Sequence, residues 1–229
     1  MAYIFPTTPE LIMADDDFVI GVKHRLGVPL AGDLPPKCFC GAELKDDPQH
    51  FLSCSQLKRR AMTVRHDSVV RLLRDFFHNA GALVHIEPRI YETKRFRPDL
   101  DILLADTNIM IDVGITNPCA PSRTSTTALA AATTMEKAKV VEYKKFAEER
   151  GAKFFPFILE TLGAYGKETV NVLKALAKAV FNSNIDAPRD YLVQCNRVVA
   201  VAVQRGNALV ARQGAVLSRA AATWSPYAW

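Results

Sequence analysis

The sequence predicts an α/β fold in which a mixed β-sheet is flanked by helices, with a small cysteine-containing segment before it. Two runs of alternating apolar and polar residues, at 98–105 and 109–116, have the period of half-buried strands. Longer runs with apolar residues every three or four positions surround them and are typical of helices. With 229 residues and 49% hydrophobic composition, the chain can bury one substantial core and a small appendage.

The predicted elements can be placed in order along the chain. An amphipathic helix begins at Thr8-Pro9-Glu10, and residues 27–36 end it with glycines and prolines. Its apolar stripe consists of Leu11, Phe18, Val22 and Leu26. A second helix covers about 56–79, and strands at 83–91, 98–105 and 109–116 form a meander. A helix at about 126–150, a strand at 154–161 and a helix at 167–181 complete the core.

The second and third strands carry three carboxylates. Turn chemistry at residues 106–108 predicts a hairpin that pairs Asp101 with Asp112 and leaves Asp99 diagonal to Asp112. Like charges this close are costly unless a cation neutralises them, and hard oxygen ligands select Mg²⁺ or Mn²⁺. The alternative is that the aspartates only solvate the outer face of the hairpin.

Residues 38–54 have the spacing of a zinc site, C-x-C-x9-H-x3-C. The predicted ligands are Cys38, Cys40, His50 and Cys54, and four protein ligands make such a zinc structural. The alternatives are buried cysteines beside a surface histidine, or a disulfide in a secreted protein. The five cysteines are an odd count and no secretory signal opens the chain, so we favour zinc in a reducing compartment.

Basic residues are concentrated just before the aspartates. Residues 55–97 contain ten Lys or Arg against four Asp or Glu, a balance that suits a polyanion such as DNA. The predicted DNA contacts are Lys58, Arg59, Arg60, Arg65, His66 and Arg97. A solvated helix face is the alternative. Arg65 and His66 could instead meet the attacking water, and a capping or core role for His66 is equally open.

A long alanine-rich helix is predicted over about 191–222. Arg205, Arg212 and Arg219 recur every seven residues and therefore share one face, which tracks a DNA backbone or is simply solvated. No apolar run is long enough to span a membrane. We therefore expect a soluble protein with no membrane partner, located in the nucleus or elsewhere inside the cell.

Several short motifs resemble those of one known family. They are RHD at 65–67, RPD at 97–99, IDVGITNP at 111–118, Lys139 with Tyr143, and FPFILETLG at 155–163. With the cysteine-histidine segment, they resemble the restriction-like endonuclease at the C-terminus of site-specific non-LTR retrotransposon proteins, which has the PD-(D/E)xK nuclease fold. The resemblance covers about residues 35–182.

This resemblance implies a division of the chain and a set of partners. It implies an N-terminal helical segment (1–34), a CCHC zinc knuckle (35–56), a restriction-like endonuclease core (57–182) and a C-terminal helical extension (183–229). It also implies DNA as substrate, with RNA and the reverse transcriptase region of the same polyprotein as further partners. The chain would then be a fragment or a domesticated relic of a longer protein.

The implied activity is Mg²⁺-dependent DNA cleavage for retrotransposon integration, with Asp99 and Asp112 as metal ligands. Gly114 stands where the nuclease signature has its lysine, so the resemblance implies that Lys139 on the next helix replaces it. Lys137 is the rival, and a lysine extending from the edge of an apolar face is the alternative. Glu87 is a candidate third acid, and Tyr143 is a candidate catalytic residue.

Two other functions stay open at this stage. The absence of a lysine after Asp112 favours a nucleic-acid-binding module whose nuclease core is inactive. A rigid interaction platform inside a larger polyprotein, with aspartates that bind nothing, is the other.

Overall fold

One four-stranded sheet forms the centre of the computed structural model, which describes residues 8–88, 97–104, 107–123, 125 and 127–223. The strand order is β1-β2-β3-β4, in which the first three strands are antiparallel and β4 runs parallel to β3. The strands are β1 Leu83–Ile86, β2 Leu100–Leu104, β3 Thr107–Thr116 and β4 Ala152–Glu160. The predicted meander and mixed sheet are therefore confirmed.

Five α-helices surround this sheet in the described part of the chain. They are α1 Asp15–Leu26, α2 Ala61–Asn79, α3 Ala130–Glu148, α4 Thr169–Asn182 and α5 Pro188–Thr223. Short 3₁₀ helices lie at Pro9–Leu11, His50–Leu52 and Ser55–Leu57. None of these described helices is both long and apolar enough to cross a membrane.

The two faces of the sheet have different neighbours. Helices α2, α4 and the first half of α5 cover one face, where Leu100, Ile102 and Ile111 are fully buried. Helix α3 covers β3 and β4 on the other face, where Met110 packs against Phe146. Because side chains alternate along a strand, Asp112 lies on the α3 face with Met110.

A second hydrophobic cluster lies away from the sheet. It joins the segment that contains the predicted zinc ligands to α1 and to the second half of α5, with Phe51, Leu57 and Val210 essentially inaccessible to solvent. Helix α5 thus contributes to both clusters. The four-part division of the chain remains a prediction, and this long helix connects its parts.

Of the predicted apolar stripe at the start of the chain, only Leu11 is buried, and it lies in the 3₁₀ helix before α1. Phe18 is 59% exposed and Leu26 is 70% exposed, whereas Ile20 and His24 are buried. The helix is oriented by polar contacts as well: Arg212 pairs with Asp17, and the His24 ring lies in a buried hydrogen-bond network. A helical period identifies an apolar stripe but does not say which face a neighbouring element covers.

The arginines spaced seven residues apart on α5 bind the N-terminal part of the chain. Arg205 donates to the Ile12 carbonyl, Arg212 pairs with Asp17, and Arg219 donates to the Gly32 carbonyl. These three guanidinium groups are therefore engaged within the protein and connect α5 to the first third of the chain.

Candidate functional site

Asp99 and Asp112 lie opposite each other at the end of the β2–β3 pair. Leu100 pairs with Ile111, so the next residue outward, Asp99, faces Asp112. An Asp99 carboxylate oxygen accepts a 2.6 Å hydrogen bond from the Val113 amide, which fixes its position beside β3. The structure brings together the two carboxylates that the sequence proposed as metal ligands.

The predicted register of this hairpin is wrong by two residues. Asp101 pairs with Met110 rather than with Asp112, and Leu104 pairs with Thr107. Residue 106 of the predicted turn lies outside the described residues. A shift of two residues preserves the face on which each side chain lies. The three aspartates therefore still share one face, but Asp99 rather than Asp101 is the direct neighbour of Asp112.

Lys139 reaches this carboxylate pair from α3. Its Nζ atom lies 2.8 Å from Asp112 Oδ2, and its side chain is 28% exposed. The close approach of α3 depends on Gly114: a Cβ atom there would lie 2.6 Å from Met135 Sδ and 2.7 Å from Ile158 Cδ1. A side chain at position 114 would therefore require Met135 and Ile158 to move from the packing that brings Lys139 to Asp112.

Burial and neighbouring charges shift the pKa values of both Asp112 and Lys139. Burial and the charge of Asp99 raise the pKa of Asp112 to about 6, although Lys139 and Tyr143 act in the opposite direction. Burial alone would lower the pKa of Lys139, but the adjacent Asp112 more than compensates and raises it. Two acids and one lysine leave room for further positive charge.

His66 supplies part of that charge from α2. Its ring Nε2 lies 3.1 Å from Asp99 Oδ2 and 3.2 Å from the Val113 carbonyl oxygen, and Nδ1 lies 3.0 Å from Asp67. Burial disfavours the charged ring, but Asp99 and Asp67 outweigh it and raise the pKa of His66 to about 9. The sequence assigned this residue to DNA contact, and the structure places it on the proposed metal ligands.

The two other candidate residues, Tyr143 and Glu87, differ in their contacts with the carboxylate pair. Tyr143 stacks on Phe154 with ring centroids 5.2 Å apart. Burial raises the pKa of its phenol, and the charge of the neighbouring Asp112 raises it further. Glu87 is exposed and pairs with Arg97 at 3.3 Å. Tyr143 therefore adjoins Asp112. The Glu87 carboxylate contacts Arg97, and the Glu87 amide donates to the Asp99 carbonyl oxygen at 2.9 Å.

The donor set fits a hard divalent cation. Asp99, Asp112 and the carbonyl of Val113 offer oxygen ligands at one end of the sheet, and Asp112 is only 4% exposed. Oxygen donors of this kind suit Mg²⁺ or Mn²⁺ better than zinc.

A second group of candidate ligands lies in the knuckle segment. The ligand atoms of Cys38, Cys40, His50 and Cys54 all lie within 4.8 Å of one another. Cys40 Sγ is 3.1 Å from His50 Nε2, and the sulfurs of Cys38 and Cys54 are 3.9 Å apart. The three cysteines are free of disulfides, so this Cys₃His cluster could hold a metal such as zinc.

The surroundings of the cluster match those of a metal site. Burial raises the pKa of Cys54 to about 12, whereas hydrogen bonds outweigh burial at Cys40 and lower its pKa to about 7. His50 Nδ1 faces Asp47 Oδ2 at 3.5 Å, so a carboxylate orients the ring whose other nitrogen points to the sulfurs. A bound cation would stabilise the buried thiolates.

Comparison with known proteins gives one informative similarity. No protein-family model matches the chain. The chain is similar to the retrotransposable element SLACS 132 kDa protein of Trypanosoma brucei gambiense, with 28% identity over 142 residues. The similarity covers 57% of this chain and 12% of that protein. The similarity is thus to a retrotransposon protein, of which this chain spans only a small part.

The predicted phosphate contacts separate into exposed and buried residues. Lys58, Arg59 and Arg60 are exposed, and Arg97 is exposed beside Glu87. Arg65 is only 3% exposed, and its Nη1 donates to Asn207 Oδ1 at 2.8 Å. The aliphatic part of Arg65 packs on Gly206 of α5, so Arg65 is a structural residue and the prediction of a DNA contact is corrected.

Sequence reasoning assigned no individual role to three acids that lie near these sites. Asp47 faces the ring of His50, Asp67 faces the ring of His66, and Glu136 is buried between α3 and α4. Asp47 lies three residues before His50, a spacing that could have suggested its role. The partner of Glu136 is an amide in the loop before α4, and no local sequence pattern indicates such a contact.

Proposed function

We propose that this chain is a Mg²⁺-dependent endonuclease that nicks DNA during retrotransposon integration. The proposal is supported chiefly by Lys139, whose Nζ lies 2.8 Å from Asp112 beside the opposed Asp99. Two carboxylates and a lysine at one strand end form the constellation that metal-assisted phosphodiester hydrolysis requires. The similarity to a retrotransposable element protein supports the biological context.

Each residue of the proposed site has a distinct task. Asp99 and Asp112 would hold Mg²⁺ together with the Val113 carbonyl, and the ion when bound would polarise the phosphate and make water more acidic. Lys139 would stabilise the negative charge that develops on the phosphate. With the ion bound, the Val113 carbonyl would serve the metal instead of accepting a hydrogen bond from His66. The His66 ring would then donate to Asp99 or to a phosphate oxygen.

The remaining features support DNA binding. Lys58, Arg59 and Arg60 follow the Cys₃His cluster directly and are exposed, so they can meet phosphates without rearrangement. A zinc in that cluster would have four protein ligands and a structural role. The knuckle would then present the basic residues at a fixed position next to α2.

Nicking of supercoiled plasmid tests the proposal. We expect conversion to the relaxed circle with Mg²⁺ or Mn²⁺ and none with EDTA, and calorimetry should detect Mn²⁺ binding that Asp112→Asn weakens. DNA binding without metal-dependent nicking would refute the nuclease and leave a binding module. A chain that neither binds DNA nor takes up Mn²⁺ would be an interaction platform.

A further inference from the structure

We propose that Glu136 is a positioning residue for the nuclease reaction, which fixes α3 so that Lys139 reaches Asp112. The inference rests on the proposed function. Because Gly114 stands where the strand would carry a lysine, the catalytic lysine lies on a separate helix and is only as well placed as that helix. A lysine on the strand itself would have needed no such support.

Glu136 is buried in contact with the loop before α4. It is 3% exposed, and its Oε1 accepts a 2.8 Å hydrogen bond from the Glu168 amide. Backbone groups of Lys167 and Thr169 also stabilise this carboxylate. These groups lie at the N-terminus of α4, where backbone N–H groups lack helical partners and the helix dipole favours an anion.

The fit around this carboxylate is tight. A Cβ atom at Gly166 would overlap Glu136 Oε1, so a larger residue there would displace the side chain. A second carboxylate, that of Glu160 at the end of β4, accepts from the Ala132 amide in the first turn of α3 at 3.4 Å. Glu136 and Glu160 thus attach α3 to α4 and to β4.

Lys139 follows Glu136 by one helical turn. Residues three apart lie on neighbouring positions of a helix surface, so a tilt or slide of α3 at Glu136 moves Lys139 by a similar amount. The contact of Met135 with Gly114 fixes the depth of α3 against β3 but, being apolar, does not by itself oppose sliding along the strand. The directional contacts of Glu136 oppose that sliding.

The matched variants are Glu136→Ala, which removes the contact, and Glu136→Gln, which keeps an acceptor for the Glu168 amide. Misplacing a catalytic group by about 1 Å can cost up to a hundredfold in rate. We expect Glu136→Ala to lower the single-turnover nicking rate by about tenfold without changing DNA affinity, and Glu136→Gln to retain most activity. Gly166→Ala should act like Glu136→Ala.

A double-mutant cycle separates positioning from general destabilisation. If Glu136 acts through Lys139, Glu136→Ala should change the rate by less than about twofold when Lys139 is already alanine. Leu176→Ala is the control, since it removes core packing in α4 without touching α3 and should leave the nicking rate of the folded protein unchanged. An additive loss in the cycle, or an equal loss from Leu176→Ala, would overturn the inference.

Chemical modification gives a readout independent of nicking. With an amine acylating reagent, Lys139 in the wild-type protein should react slowly because it is paired with Asp112, and it should react several-fold faster in Glu136→Ala. Exposed Lys137 on the same helix should react equally in both proteins. Equal reactivity of Lys139 in both would overturn the positioning role, whereas a wild-type protein that fails to nick would refute only the nuclease.

Discussion

Gly114 decides how the candidate site is assembled. It departs from the nuclease signature, and the structure shows that its missing side chain makes room for Met135 of α3. The resemblance implied that a lysine on the following helix would compensate, and Lys139 does lie at Asp112. The sequence could not show that the glycine and the displaced lysine are two parts of one packing arrangement.

Restoring a lysine to the strand should therefore fail. Gly114→Lys in a Lys139→Ala background should destabilise the fold by about 1–3 kcal/mol, because the new side chain overpacks the contact with α3. It should not restore nicking. Urea unfolding measures the loss of stability, and plasmid nicking measures the activity. Recovery of nicking with unchanged stability would contradict this description of the site.

His24 should make the free energy of unfolding depend on pH. Burial lowers the pKa of His24 in the folded protein, where its Nδ1 lies 2.6 Å from the side-chain oxygen Oε1 of Gln49. The unfolded chain therefore binds more protons once the pH falls below about 6.5, and stability should fall with it until the folded ring also protonates. His24→Gln should reduce this fall between about pH 7 and 5, as measured by urea unfolding.

Exposed His78 provides the control. His78→Gln should leave the pH dependence as it is in the wild-type protein. If His24→Gln and the wild type lose stability in parallel on acidification, the buried neutral state of His24 is refuted.

At the scale of elements, periodicity predicted the order of helices and strands but not the contacts between them. The core order of helix, three strands, helix, strand and helix is confirmed. The buried face of α1, the hairpin register and the partners of the α5 arginines depended on residues far away in sequence. Arg65 shows the same limit, since a basic residue in a basic segment is buried because Gly206 leaves space for it.

The Cys₃His cluster should bind one zinc per chain, measured by elemental analysis of the purified protein. Cys54→Ser should lose the metal and lower the unfolding temperature, since a structural zinc contributes its binding energy to folding. The knuckle shares a hydrophobic cluster with α5, so hydrogen exchange should also accelerate in the second half of α5.

Cys119→Ser is the matched control because Cys119 is exposed and lies outside the cluster. It should retain the zinc and the wild-type unfolding temperature. The proposed metal site would be refuted if the purified protein contained no zinc or had Cys38 in a disulfide.

At the scale of the whole molecule, α5 joins the sheet to the knuckle, and the exposed basic residues at 58–60 lie in sequence between the knuckle and α2. Neutralising Lys58, Arg59 and Arg60 should weaken DNA binding for all sequences and reduce the salt dependence by roughly one slope unit per lost phosphate contact. Binding titrations between about 50 and 200 mM salt measure this slope.

Three exposed lysines at and before α4 offer a control with the same change in charge. They are Lys167, Lys174 and Lys178. Neutralising them should leave the salt slope within error of the wild-type value if DNA binds beside the knuckle. Equal effects from both triple variants would show that only net charge matters.

The most direct test of the site is the nicking rate of variants that remove one group at a time. Asp99→Ala, Asp112→Ala and Lys139→Ala should each lower the Mg²⁺-dependent rate by about a hundredfold or more while the fold and DNA binding persist. Asp101→Asn and Lys137→Ala, one on the same sheet face and one on the same helix, should stay within a few-fold of wild type. A nearly active Lys139→Ala variant, or an Asp101→Asn variant more impaired than Asp99→Ala, would contradict the assignment.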